Sequence, residues 1–124
     1  MQLKYTSKTF IDDEWKVSFE TPFIPFFQKT KDEFLIFDFS DQNSNLHHLE
    51  ISEEEVKIKY LQNELYMILD EITHWTLKHE NQEYTLDLFL YEVSLGLSEV
   101  NFKYEMQNQG QVLQRVWINL TLQK

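Results

Sequence analysis

Three stretches in the last third of the chain limit its fold more than anything else in the sequence. Tyr84, Leu86, Leu88 and Leu90 alternate with more polar residues, as do Val100, Phe102, Tyr104 and Met106, and then Val116, Ile118, Leu120 and Leu122. A period of two sends successive side chains to opposite faces of an extended chain, so each stretch predicts a strand with one buried face. Between the last two lies Gln107-Asn108-Gln109-Gly110-Gln111, which reads as a hairpin turn with Gly110 where φ is positive.

The first half carries the same pattern less cleanly. Trp15, Val17 and Phe19 alternate with Lys16, Ser18 and Glu20, after an opening strand around Leu3 to Thr9 and a turn at Ile11-Asp12-Asp13. Phe34 to Phe37 is continuously apolar, as in a strand covered on both faces. Pro22 and Pro25 make the stretch between them an edge or a loop with apolar anchors. The polar run Ser40 to Asn45 is the clearest long turn.

The middle of the chain is ambiguous. Val56, Ile58 and Tyr60 alternate as in a strand, yet Ser52 and Glu55 have the spacing of a capping box. After Tyr60 the period changes: Leu61, Leu65, Ile68, Ile72 and Trp75 recur every three or four residues, which predicts an amphipathic helix. The reading is therefore an α+β domain spanning 1–124, a mainly antiparallel sheet of about six to seven strands with one main helix near 61–77 packed on it. The alternative is a closed barrel or sandwich covered by a helix.

Composition narrows the function classes. Of 124 residues 42% are hydrophobic and 15% aromatic, enough for one core without staples. There is no cysteine, hence no disulfide framework and no thiolate chemistry. Glycine occurs only at 96 and 110, so the glycine-rich loops that bring backbone N–H groups to phosphate are excluded. Alanine is absent and there is one arginine, a bias that an AT-rich coding sequence explains. The opening residues lack the apolar run of a signal peptide and no stretch approaches the ~20 apolar residues of a membrane span, so a cytoplasmic protein is expected.

The net charge is −10, and residues 41–92 hold twelve of the acids against three lysines. Direct nucleic-acid binding and an anionic membrane surface are disfavoured, because phosphate contacts need clustered basic residues. A basic partner is favoured through electrostatic steering.

Candidate reaction centres are weak. His47 and His48 are adjacent, so on a strand they face opposite ways and cannot share an ion. Glu71 and His74 match one half of a carboxylate-bridged di-iron unit, which needs two such halves and two further glutamates. Runs such as Asp12-Asp13-Glu14 read as hydrated faces rather than paired catalysts. Ser94-Leu95-Gly96 is a fragment of a nucleophile elbow and no more. No catalytic residue, metal or cofactor is expected, and the chain is not expected to be an enzyme.

Two binding readings remain. The first is a small acidic protein of the immunity or inhibitor kind, neutralising a basic, nuclease-type toxin or regulating another basic protein, in the style of many bacterial toxin-immunity proteins. Its surface would be Glu50, Glu53, Glu54, Glu55, Glu64, Asp70 and Glu71, with Arg115 and Trp117 as anchors on the outer face of the last strand. The same pair, with that strand as an edge, would serve a homodimer. The second is a carrier of a small apolar ligand, with aromatics such as Phe34, Phe37, Phe39, Phe89, Phe102, Tyr104 and Trp117 lining a pocket beneath the helix.

Overall fold

In the computed structural model, which describes residues 1–123, the chain is all-β. Among the described residues there are twelve strands, all paired antiparallel in two sheets, and no helix. The α+β expectation is thus overturned, and so is the strand count. With no helix present, none is long and apolar enough to cross a membrane.

The larger sheet has the order β2 (Glu14–Glu20), β1 (Gln2–Ile11), β12 (Gln111–Gln123), β11 (Glu99–Asn108), β10 (Gln82–Leu95), β9 (Ile72–His79). Short β3 (Ile24–Pro25) pairs the start of β1 at Gln2 and Leu3, while β2 pairs its later part. The smaller sheet is a meander of β4 (Phe27–Lys31), β5 (Phe34–Ser40), β6 (Leu46–Ile51), β7 (Glu55–Tyr60) and β8 (Asn63–Ile68).

Three hairpins of the larger sheet turn on two residues with positive φ: Asp12-Asp13, Glu80-Asn81 and Gln109-Gly110. Such turns twist in the sense that flanking strands need, and Asp, Asn and Gly tolerate the left-handed region best. The strand register carries all three turns to one end of the larger sheet.

The segment expected to be helical forms β8, a corner and β9. Leu65 and Met67 are buried while Tyr66 between them is exposed, a strand's alternation. Leu61, the first residue of the supposed helical stripe, is 66% exposed in a turn with φ 56°. At the corner Leu69 N–H donates to Glu54 O at 2.7 Å and Asp70 N–H donates to Leu90 O at 2.8 Å, joining the sheets along one side. Asp70 has φ 63°, which no helix interior permits. Apolar residues on either side of such a corner fall three or four apart without sharing a helix face. Ile72, Thr73, Trp75 and Thr76 are also β-branched or aromatic, types that favour a pleated surface.

The capping-box reading resolves the same way. Ser52 Oγ accepts the N–H of Glu55 at 3.0 Å, as an N-cap would, but Ser52 N–H donates to Glu55 O at 2.8 Å and closes a turn. That turn feeds β7, the strand expected at 55–60.

The inner faces of the two sheets meet in one core that includes Leu3, Phe37, Leu49, Ile51, Val56, Met67, Leu90, Phe102 and Leu120. Each such side chain stabilises the fold by about 1.5–3 kcal/mol through burial. The chain crosses between sheets a second time at Thr21 to Phe26. There Thr21 N–H donates to Tyr5 O at 2.9 Å and Tyr5 N–H donates to Thr21 Oγ1 at 3.0 Å.

Candidate functional site

Toward the turn-bearing end of the larger sheet the two inner faces separate and leave a half-open cavity of about 400 Å³. β1 supplies Tyr5 and Ser7, β2 Phe19, β7 Ile58 and Tyr60, and β11 Tyr104 and Met106. His47 of β6, Asn63 and Leu65 of β8, Trp75 of β9 and Ile118 of β12 complete the wall. The lining holds no lysine, arginine, aspartate or glutamate. The position follows from strand parity: Tyr5, Ser7, Tyr104, Met106 and Ile118 share the inward face with the core residues beyond them.

One side of the cavity is an aromatic stack centred on His47. Its ring lies 4.7 Å from Phe39 and 4.4 Å from Tyr60, nearly parallel to both, and 5.1 Å from Tyr5. Asp41 fixes the ring: His47 Nε2–H donates to Asp41 Oδ2 at 2.9 Å, both side chains almost wholly buried. The other carboxylate oxygen accepts the backbone N–H of Asn43 at 2.8 Å and of Asn45 at 3.1 Å, which closes the turn between β5 and β6. Burial alone raises a carboxyl pKa, but here the hydrogen bonds from His47, Asn45 and Asn43 outweigh it and hold Asp41 below its usual range. An ionised Asp41 leaves His47 Nδ1 as the ring atom without a protein partner among the described residues.

Two phenols meet the same space. Burial pushes Tyr104 up to about 12, and burial together with Tyr104, Tyr60 and Asp41 pushes Tyr5 higher still. Both therefore remain O–H donors at neutral pH. Neither hydroxyl has a hydrogen-bond partner among the described residues.

The acidic residues expected to form one surface fall in two places. Glu53 and Glu54, in the β6–β7 turn, are drawn to Asp70 and Glu71 by the bond from Leu69 N–H to Glu54 O, and Glu55 follows with its carboxylate accepting the Tyr66 hydroxyl. Glu50 and Glu64 lie instead on the outer face of the smaller sheet, opposite Lys57 and Lys59 in the register. Glu50 accepts from His48 there, and Glu64 sits 3.9 Å from Lys59.

Arg115 and Trp117 do share the outer face of β12. Arg115 donates to Glu105 at 2.9 Å, and the Trp117 ring lies between the ammonium groups of Lys8 at 4.3 Å and Lys103 at 4.6 Å. The Trp117 indole N–H is buried without a partner among the described residues. β12 runs between β1 and β11, so the last strand is not an edge, which corrects that route to a homodimer.

Of the aromatics expected around a pocket, Tyr104 lines the cavity, while Phe37, Phe39 and Phe102 are core residues. Phe89 and Trp117 alternate with buried neighbours and face outward. Sequence reasoning missed Tyr5, Tyr60, Trp75 and the Asp41–His47 pair. Strand parity was the available signal, since His47 shares an inward face with Leu49 and Ile51 while His48 points out. Among the described residues no group of three or more His, Asp or Glu side chains is placed to hold a metal ion.

No protein-family model matches the chain, and no curated protein does. Its fold is similar to that of the ywiB protein from Bacillus subtilis, whose crystal structure aligns with a TM-score of 0.66 at 15% identity, over 99% of this chain and 91% of that one. At that identity the likeness is one of fold.

Proposed function

We propose that the protein binds a small, largely apolar molecule in the cavity between its sheets, without transforming it. The cavity itself carries the reading: about 400 Å³, walled by aromatic and aliphatic side chains, with Ser7, His47 and Asn63 as the polar residues besides the tyrosines. That is the usual anatomy of a small-molecule site, in which apolar walls supply affinity and a few placed donors and acceptors supply orientation. Asp41 and His47 are built as an anchored polar point rather than a nucleophile–base pair, because the ring's second nitrogen meets no hydroxyl among the described residues. A cytoplasmic setting belongs to the same proposal and is supported by the lack of cysteine. Native mass spectrometry of the protein from its own host tests the reading. A retained small molecule released on denaturation supports it; a bare chain that also takes up none of a panel of neutral apolar probes rejects it.

A second reading keeps the basic protein partner, such as a nuclease-type toxin. What supports it is the corner where Glu53 and Glu54 meet Asp70 and Glu71, in a chain of charge −10. Reversing Glu53, Glu54 and Glu55 to lysine should slow association with such a partner at low salt. Unchanged association kinetics would remove this reading.

A further inference from the structure

Resting on the cavity reading, we infer that the ligand is uncharged, with an aromatic or conjugated body and one oxygen acceptor, such as a carbonyl, that receives the Tyr5 and Tyr104 hydroxyls. Three observations select this class. First, the walls are rich in rings: Tyr5, Phe19, Tyr60, Trp75 and Tyr104 line one space, which suits a flat body better than a flexible chain. Second, Tyr5 and Tyr104 line the cavity, and neither phenol O–H has a hydrogen-bond partner among the described residues. Both phenol oxygens keep some accessible surface, so a ligand acceptor would take the place of water on them. His47 lies on the same wall.

Third, the charges argue against an ionised head of either sign. No lysine or arginine lines the cavity to neutralise an anion, and the ionised Asp41 lies directly behind His47. A cation finds no carboxylate on the wall either, because both Asp41 oxygens are already engaged by His47, Asn43 and Asn45.

Four naphthalenes with one body and different heads test this. They are 2-acetylnaphthalene (a ketone), 2-ethylnaphthalene (the hydrocarbon), 2-naphthoate (an anion) and 2-naphthyl-trimethylammonium (a cation), titrated by calorimetry against the full chain. The ketone should bind at least about tenfold more tightly than the hydrocarbon, as one well-made hydrogen bond allows, and more tightly than either ion. In Tyr5→Phe with Tyr104→Phe, which keeps both rings, the ketone should lose that advantage while the hydrocarbon binds as before. Equal binding of ketone and hydrocarbon to the wild type would overturn the hydroxyl-directed head and leave the cavity reading standing. Tightest binding by either ion would overturn the uncharged class. Binding of none of the four would overturn this inference together with the reading beneath it.

Discussion

Asp41 Oδ2 lies 2.9 Å from His47 Nε2, and this contact joins the turn after β5 to the wall of the cavity. One carboxylate both closes a turn and sets a ring. Its removal should therefore be felt in stability and in ligand affinity together. Asp41→Ala leaves three donors without an acceptor and should cost about 2–4 kcal/mol by urea denaturation at neutral pH. Asp41→Asn keeps an oxygen for Asn43 and Asn45 and should cost less.

The same carboxyl gives a pH signature. Its folded pKa is below the ordinary 3.8, so its contribution is fully present above that value and is lost as pH falls through the folded pKa. Wild-type stability should drop more steeply than that of Asp41→Asn once the pH is below 3.8. Parallel curves in that range would show that Asp41 contributes no such linkage.

His48, on the opposite face of β6, behaves in the other sense. Its Nδ1 lies 2.6 Å from Asp38 and its Nε2 3.0 Å from Glu50, so both ring nitrogens donate to carboxylates. Burial lowers its pKa, but the hydrogen bonds to Asp38 and Glu50 outweigh that and raise it above 6.5. The stabilisation is fully present below 6.5 and is lost as pH rises through the folded value. Because the site is partly exposed, His48→Gln should cost about 1 kcal/mol or less at low pH and still less once wild-type His48 has lost its proton. A histidine NMR titration reports the shift directly; a His48 value at or below 6.5 would contradict the bridge.

Core and cavity positions should separate under mutation. Phe102 is fully buried, and Phe102→Ala should cost about 3–5 kcal/mol. Met106, four residues further along the strand on the same inward face, is half-buried on the cavity wall, and Met106→Ala should cost about 1 kcal/mol. Similar losses at both, by denaturation, would mean that the space around Met106 is packed as tightly as the core.

The two glycines should differ in kind. A methyl group on Gly96 would lie 2.9 Å from the backbone oxygen of Glu99, so Gly96→Ala must move the main chain, at about 1–3 kcal/mol. Gly110 has open space around it but φ +79°, so Gly110→Ala pays only the left-handed backbone strain of about 1 kcal/mol.

Where the apolar pattern ran long with one phase, the strands were legible in the sequence. Val116 to Leu122 and Val100 to Tyr104 alternate without interruption, and Gly110 marks the turn between them. At Leu69 to Glu71 the pattern failed, because two strands of different phase meet there across a three-residue corner. Summed along one line, their apolar residues imitate a helical stripe, and only the tertiary bonds from Leu69 and Asp70 distinguish the two. The cavity was partly legible. Tyr104 was among the expected pocket residues, yet Tyr5, Tyr60 and Trp75 come together through pairings between distant segments that local periodicity does not encode. Asp41 was hidden for a different reason: in a polar, turn-forming run, a carboxylate reads as surface.

The most direct measurement is a fluorescence titration with N-phenyl-1-naphthylamine, a neutral dye that brightens in apolar surroundings, against wild type and Met106→Trp. The larger side chain at Met106 should fill the cavity while leaving the core beneath it unchanged. The wild type should show one saturable site, weakened at least about tenfold in the filled variant, as a loss of ~1.4 kcal/mol requires. Equal binding to both proteins, or none to the wild type, would contradict the cavity reading.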